Sequence, residues 1–247
     1  MHNDIIKKLN VDIFADGASL KQIESQNKID WIKGFTTNPT LMKKNGIKDY
    51  KKFAYEVLSV VNQKPLSLEV FSDDLNEMLD QAYEIASWHE NINVKIPITN
   101  TKGQLTTKLI EKLNKSKIKC NVTAIFTIDQ VEAVLENINE DTYTILSIFA
   151  GRIADTGIDP AQIIKKSVNL VHNKNNIKIL WASPRELLNI FQANELGCDI
   201  ITVADDILNK IPNIGKSLDK FSLETVKMFY NDAVSSDFSI KIEKQKL

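Results

Sequence analysis

Eight short apolar or β-branched runs recur along this 247-residue chain, and stretches with helical spacing separate them. The runs are VDIFAD (11–16), WIKGFTTN (31–38), LSLEVF (66–71), INVKIPI (92–98), CNVTAIF (120–126), YTILSIFA (143–150), IKILWAS (177–183) and DIITVA (199–204). Between the third and fourth, residues 73–89 place Leu75, Met78, Leu79, Ala82, Ile85 and Ala86 on one helical stripe. Asn38-Pro39, Ser183-Pro184 and Asp159-Pro160 read as helix starts, a cap residue followed by a proline whose missing N–H costs nothing there. No long polar linker interrupts the alternation. Eight strand–helix units fit a doubly wound sheet, but in this length they favour a closed (β/α)8 TIM barrel, the α/β fold expected here. The whole chain, 1–247, is expected to be one such domain, with the barrel over about 11–215 and a helical extension over about 216–237. Phe221, Leu223, Val226, Phe229, Tyr230 and Val234 give that extension an apolar face, to pack on the barrel or on a neighbouring subunit. In the tail, 238–247, the charged ending KIEKQKL is expected to fray.

With 43% hydrophobic residues the chain can bury a full core. A formal net charge of −1, with no basic block interleaved with aromatics, argues against a nucleic-acid partner. The N-terminal segment MHNDIIKKLNVDIF scatters its charges and lacks the apolar centre of a signal peptide. No run approaches the roughly 18 apolar residues of a membrane span. Cys120 and Cys198 make no disulfide framework and fit a reduced, cytoplasmic setting as small buried hydrophobes. His2, His89 and His172 lie far apart with no partner at ligand spacing, so neither a metal nor another cofactor is expected.

In such a barrel the reactive groups gather at the C-terminal ends of the strands. Reading polar residues off those ends gives Asp16, then Thr36, Thr37 and Asn38, then Glu69, Lys95, Asn121 with Thr123, Ser147 and Arg152, and Ser183 with Arg185. Core strands are costly places for unpaired polar groups, so convergence from at least six strands marks a site. Lys95 stands out because Val94, Ile96 and Pro97 flank it in an apolar strand. Desolvation favours the neutral amine of a lysine, and a neutral amine attacks a ketone to form a Schiff base, an electron sink for carbon–carbon cleavage. The structural alternative is a lysine that pairs with Glu69 or reaches solvent. Glu69 and Asp16 fit general acid–base roles, and Thr123 fits holding a water near the imine. Asn38 and Asn121 carry amides suited to sugar hydroxyls, and Asn38 also suits a helix cap.

Of 31 basic residues only Arg152 and Arg185 are arginine. A planar fork of donors binds phosphate through parallel hydrogen bonds, which an ammonium cannot do. With Ser183 and the N–H groups of a helix starting after Pro184, the two arginines would hold a terminal phosphate.

These residues appear in order within FADGAS, TTNP, NVKIPIT, NVTAIFT, SIFAGR and ASPR. The ordered set resembles the transaldolase family of Schiff-base barrel aldolases, over residues 11 to about 235. The resemblance implies a lysine Schiff base at Lys95 and transfer of a dihydroxyacetone unit between sugar phosphates in the pentose phosphate pathway. It implies substrate contacts from Thr37, Asn38, Asn121, Ser147 and Phe149, and phosphate contacts from Arg152, Ser183 and Arg185. The related fructose 6-phosphate aldolases carry Gln and Tyr where this chain has Glu69 and Phe149, which sides it with the transferases. Small members of the family form homo-oligomeric rings, commonly decamers. Gly17, Ile148, Ala150, Pro184 and Ala204 depart from the family pattern but leave every catalytic group in place. Two alternatives stand beside the transferase. One is a lyase, or an enzyme acting on an unusual sugar phosphate. The other is a non-catalytic barrel that binds sugar phosphates.

Overall fold

The computed structural model, which describes residues 2–61 and 63–240, contains all eight expected strands. They are β1 (Asp12–Asp16), β2 (Ile32–Thr36), β3 (Leu66–Glu69), β4 (Ile92–Pro97), β5 (Cys120–Ile125), β6 (Thr144–Ile148), β7 (Ile177–Trp181) and β8 (Ile200–Ala204). They pair in parallel in chain order and β8 closes on β1, with helices around the outside. The fold is a (β/α)8 TIM barrel. A parallel sheet closed into a barrel is covered on both faces, which is why the strands read as continuous apolar runs.

The main core lies between strands and helices. Phe35, Leu68, Val94, Val122, Ile179 and Ile201 meet helix residues such as Val57, Met78, Ala82, Ile110 and Ile190. A second cluster, Phe14, Ile145, Leu180, Ala182 and Ile200, comes from β1 and β6 to β8. Phe14 needs Gly34 opposite it on β2, because a Cβ there would lie 2.6 Å from its ring. The strands from β2 to β5 instead bring buried polar groups such as Thr36, Ser67, Lys95 and Asn121. Ser147 of β6 and Thr202 of β8 add to these polar groups, so the apolar cluster and the polar lining share the barrel interior.

Helix starts follow the sequence at two of the three marked places. Asn38 accepts from the Leu41 N–H at 3.0 Å and caps the helix Pro39–Lys44. Asp159 accepts from the Ala161 N–H at 2.9 Å at the start of Ala161–Val171. Ser183-Pro184 is a correction. Ser183 takes a left-handed φ of 58°, and the helix begins only at Leu188. Asn189 Oδ1 accepts from the N–H groups of both Arg185 and Glu186, capping from inside the helix. Those donors are therefore already satisfied.

The C-terminal helix, Leu218–Ser235, buries none of its residues. Phe221, Leu223, Val226, Phe229, Tyr230 and Val234 are 44% to 69% exposed, so its apolar face does not pack on the barrel of its own chain. The ending 241–247, expected to fray, lies outside the described residues. Among the described residues no helix is long and apolar enough to cross a membrane.

Candidate active site

A cavity of about 410 Å³ opens at the C-terminal ends of the strands. Its lining takes Asp16 from β1, Glu69 from β3, Lys95 from β4, Asn121 and Thr123 from β5, and Ser147 from β6. Asn38, Phe149, Arg152 and Ser183 enter from the segments that follow β2, β6 and β7. Strand register sets the centre: Glu69 lies beside Lys95, and Lys95 beside Asn121.

Lys95 is buried, and its Nζ lies 3.0 Å from Glu69 Oε2 and donates to the Thr37 carbonyl at 2.8 Å. The Glu69 carboxylate is placed to receive the proton that Lys95 must lose to act as a nucleophile. Thr37 therefore meets the lysine through its backbone, and its hydroxyl has no hydrogen-bond partner. The Thr123 hydroxyl, on the cavity wall, is likewise buried without a partner. Next to it Ala124 takes a left-handed φ of 58°, where the β5–β6 register slips between Val122 and Ile125. Ser147 donates to Asn121 Oδ1 at 2.6 Å, and Asn121 Nδ2 donates to Ser67 Oγ at 3.1 Å, which fixes the amide.

Asp16 accepts from the Thr36 hydroxyl at 2.7 Å. Burial pushes its carboxyl above the ordinary carboxylate range; the Lys95 charge and then the Thr36 hydrogen bond oppose this, and the Glu69 charge adds to it. A raised value in the folded state means that the folded chain binds this proton more tightly than the unfolded one. Stability is then lost as pH rises from the ordinary carboxylate value through the Asp16 value, and the penalty is complete above it. Asp16→Asn carries no charge and should melt higher than the parent at neutral pH. The gap should close on acidification, since the other carboxylates titrate in both proteins. Melting curves at neutral and acid pH check this, and an equal gap at both would refute it.

The two arginines differ. Arg152 lines the cavity with its guanidinium 6.0 Å from the Phe149 ring centroid, and no carboxylate among the described residues pairs with it. Arg185 is not on the cavity wall. Its Nε donates to Asp155 Oδ1 at 3.1 Å and its Nη2 to Oδ2, a two-pronged pair at the protein surface. It lines a neighbouring cavity of about 380 Å³ with Trp181 and Glu186. Burial pushes the thiols of Cys120 and Cys198 up to about 12, which leaves neither available as a thiolate at neutral pH. Among the described residues no group of His, Cys and carboxylates could hold a metal ion.

Three contributors escaped the sequence reading, and the first is Ser67 of β3, which fixes the Asn121 amide. Thr202 of β8 lines the cavity 2.5 Å from the Thr36 hydroxyl, and its signal was the one that exposes Lys95, a polar residue inside an apolar strand. Tyr50 donates to the Glu69 carbonyl at 3.0 Å and so pins the end of β3, a contact without a local signal.

A family model described as transaldolase/fructose-6-phosphate aldolase matches residues 13–246. The chain belongs to that family. A relative from Thermoanaerobacter sp. (strain X514), described as "Probable transaldolase", is 38% identical over 79% of this chain and 86% of its own length. A second with the same description, from Carboxydothermus hydrogenoformans, is 33% identical over 85% of this chain and 96% of its own. Among solved structures, a mandelate oxidase variant with an FMN adduct superposes with a TM-score of 0.55 at 12% identity, covering 84% of this chain and 68% of that one. That likeness concerns the barrel alone. With the family established, the protein is an enzyme-family barrel of the transaldolase kind, and the cavity around Lys95 is its candidate active site.

Proposed function

We propose that this protein transfers a dihydroxyacetone unit from a ketose phosphate to an aldose phosphate through a Schiff base on Lys95. The observation that carries the reading is Lys95 Nζ, buried in an open cavity with Glu69 Oε2 at 3.0 Å and Asp16 on the same wall. Lys95 attacks the ketose carbonyl, and loss of water gives an iminium. Asp16 then takes the proton of the hydroxyl on the far carbon of the bond to be broken, the carbon that becomes the aldehyde. That bond breaks, its electron pair enters the iminium to make an enamine, and the aldose phosphate leaves. The enamine adds to the acceptor aldehyde, Asp16 returns the proton, and a water held by Thr123 and Glu69 hydrolyses the imine. Asn38, Asn121, Ser147 and the Thr37 segment would hold the sugar, with Phe149 closing the wall. No cofactor is required. The reading takes fructose 6-phosphate or sedoheptulose 7-phosphate as donor and a cytoplasmic pentose phosphate role, with support from the family. The reading includes a homo-oligomer, up to a decamer, supported by the exposed apolar face of Leu218–Ser235.

A coupled assay with fructose 6-phosphate and erythrose 4-phosphate tests the reaction; no turnover with any phosphorylated ketose refutes it. Omitting the acceptor separates transferase from lyase, because a transferase stalls as the imine and a lyase releases free dihydroxyacetone.

Arg152 and Ser183 would anchor the remote phosphate, with Arg185 exchanging Asp155 for it. Arg152→Lys keeps the charge and loses the fork. It should raise KM for the phosphorylated ketose by about 1.5–3 kcal/mol of lost charge-assisted hydrogen bonding, with kcat little changed. Arg185→Lys should act the same way but less, since its fork must first leave Asp155. Steady-state kinetics decide it: unchanged KM in both variants places the phosphate elsewhere.

A further inference from the structure

Thr202 faces the cavity from β8, and the reaction as described gives it no part. Its Oγ1 lies 2.5 Å from Thr36 Oγ1, and Thr36 donates to Asp16 Oδ1 at 2.7 Å. A hydroxyl carries one proton. Once Thr36 gives its proton to the carboxylate, it can only accept from Thr202, so the donor order runs Thr202, Thr36, Asp16. The geometry points to Thr202 as a positioning residue that holds Asp16, through Thr36, ionised and aimed for proton transfer with the substrate hydroxyl. The inference rests on the acid–base role proposed for Asp16.

The barrel builds this row across two strand pairs. Asp16 lies beside Thr36 on β2, while β8 sets Thr202 beside Phe14, one inward position below Asp16. Each donor in such a row polarises the next, and the last bond is strengthened by the carboxylate charge. When Asp16 takes a proton the row reverses: Asp16 donates to Thr36, Thr36 donates to Thr202, and the Thr202 proton turns to the cavity. Neither hydroxyl gains or loses a proton, so both states of Asp16 keep a partner. The charged groups acting on Asp16 are Lys95 from β4 and Glu69 from β3, while β2 and β8 present the two hydroxyls. Removing the Thr202 hydroxyl takes a bond from both states, but the one lost from the ionised state is reinforced by the carboxylate charge and is the stronger, so the ionised state is weakened more.

The test is an infrared pH titration of the Asp16 carboxyl band, identified by its loss in Asp16→Asn, on the parent, Thr202→Val and Thr202→Ser. In Thr202→Val the midpoint should move to higher pH, and in Thr202→Ser it should return to the parent value. The acid limb of kcat/KM should move with it, giving about a three- to tenfold loss at a pH on that limb. A purely structural role would lower the plateau or the melting temperature and leave the midpoint in place. An unmoved midpoint in Thr202→Val, or one that Thr202→Ser fails to restore, overturns the inference. Thr202→Ala and Thr202→Cys carry the same comparison if Thr202→Val does not fold. The titration needs no turnover, so a parent that cleaves no ketose refutes the proposed reaction while Thr202 is judged on the midpoint alone.

Discussion

Replacing Lys95 by Met is expected to cut ketose phosphate turnover by on the order of 10⁴-fold or more and to abolish trapping of a sugar by borohydride. Met keeps most of the length and apolar volume of the lysine, so the wall of β4 between Val94 and Ile96 keeps its packing. What disappears is the amine, and Lys95 is the one lysine on the cavity wall among the described residues. Glu69 loses its partner at 3.0 Å, but it is not fully buried and can be hydrated. The loss should therefore be chemical, with a melting temperature near that of the parent. Mass spectrometry after ketose and borohydride gives the second readout: the parent gains one reduced sugar fragment and Lys95→Met gains none. Turnover within tenfold of the parent, or an unchanged mass gain, ends the Schiff-base reading.

The fold was readable because both of its periodicities are written locally. Strands covered on two faces must be apolar throughout, and helices covered on one face must carry a stripe, so the alternation survives in one sequence. The polar residues that line the cavity were readable for the related reason that an apolar strand exposes any exception, as Lys95 does within β4. Direction was not readable. Arg185 turns to Asp155, thirty positions earlier, and nothing near either residue announces the pair. The late helix start at Leu188 depends on Asn189 reaching back to two N–H groups, which outweighs the cap-and-proline signal at Ser183. Thr37 shows a third kind of gap: its contribution to Lys95 is a carbonyl, which every residue type offers equally. For the helix Leu218–Ser235 the sequence left two surfaces to pack on, and the helix buries no residue against its own barrel.

Gly151→Ala should be the most damaging single methyl in the chain outside the lysine site. Gly151 is the second residue of the short helix Ala150–Ala154, and its N–H points at the Ala182 carbonyl at 3.4 Å, so the segments after β6 and β7 touch backbone to backbone. A Cβ on Gly151 would sit 1.5 Å from the Ser183 carbonyl oxygen and 2.7 Å from its carbon. No rotamer relieves a clash with backbone. Ser183 already holds a left-handed φ of 58°, leaving little freedom to rotate away, so the whole turn from Ala182 to Arg185 must shift. The shift moves Ser183 on the cavity wall and disturbs Arg185, whose Cγ would lie 3.3 Å from the new methyl. A loss of about 3 kcal/mol or more is expected, or roughly 6–12 °C in Tm for a domain of this size, with KM for phosphorylated ketoses raised as well. Gly17→Ala is the matched control, because its Cβ meets nothing within 4 Å, and a change of no more than about 0.5 kcal/mol is expected there. If the two alanine variants melt together, the close approach of these two turns is not what holds the Ser183 side of the cavity in shape.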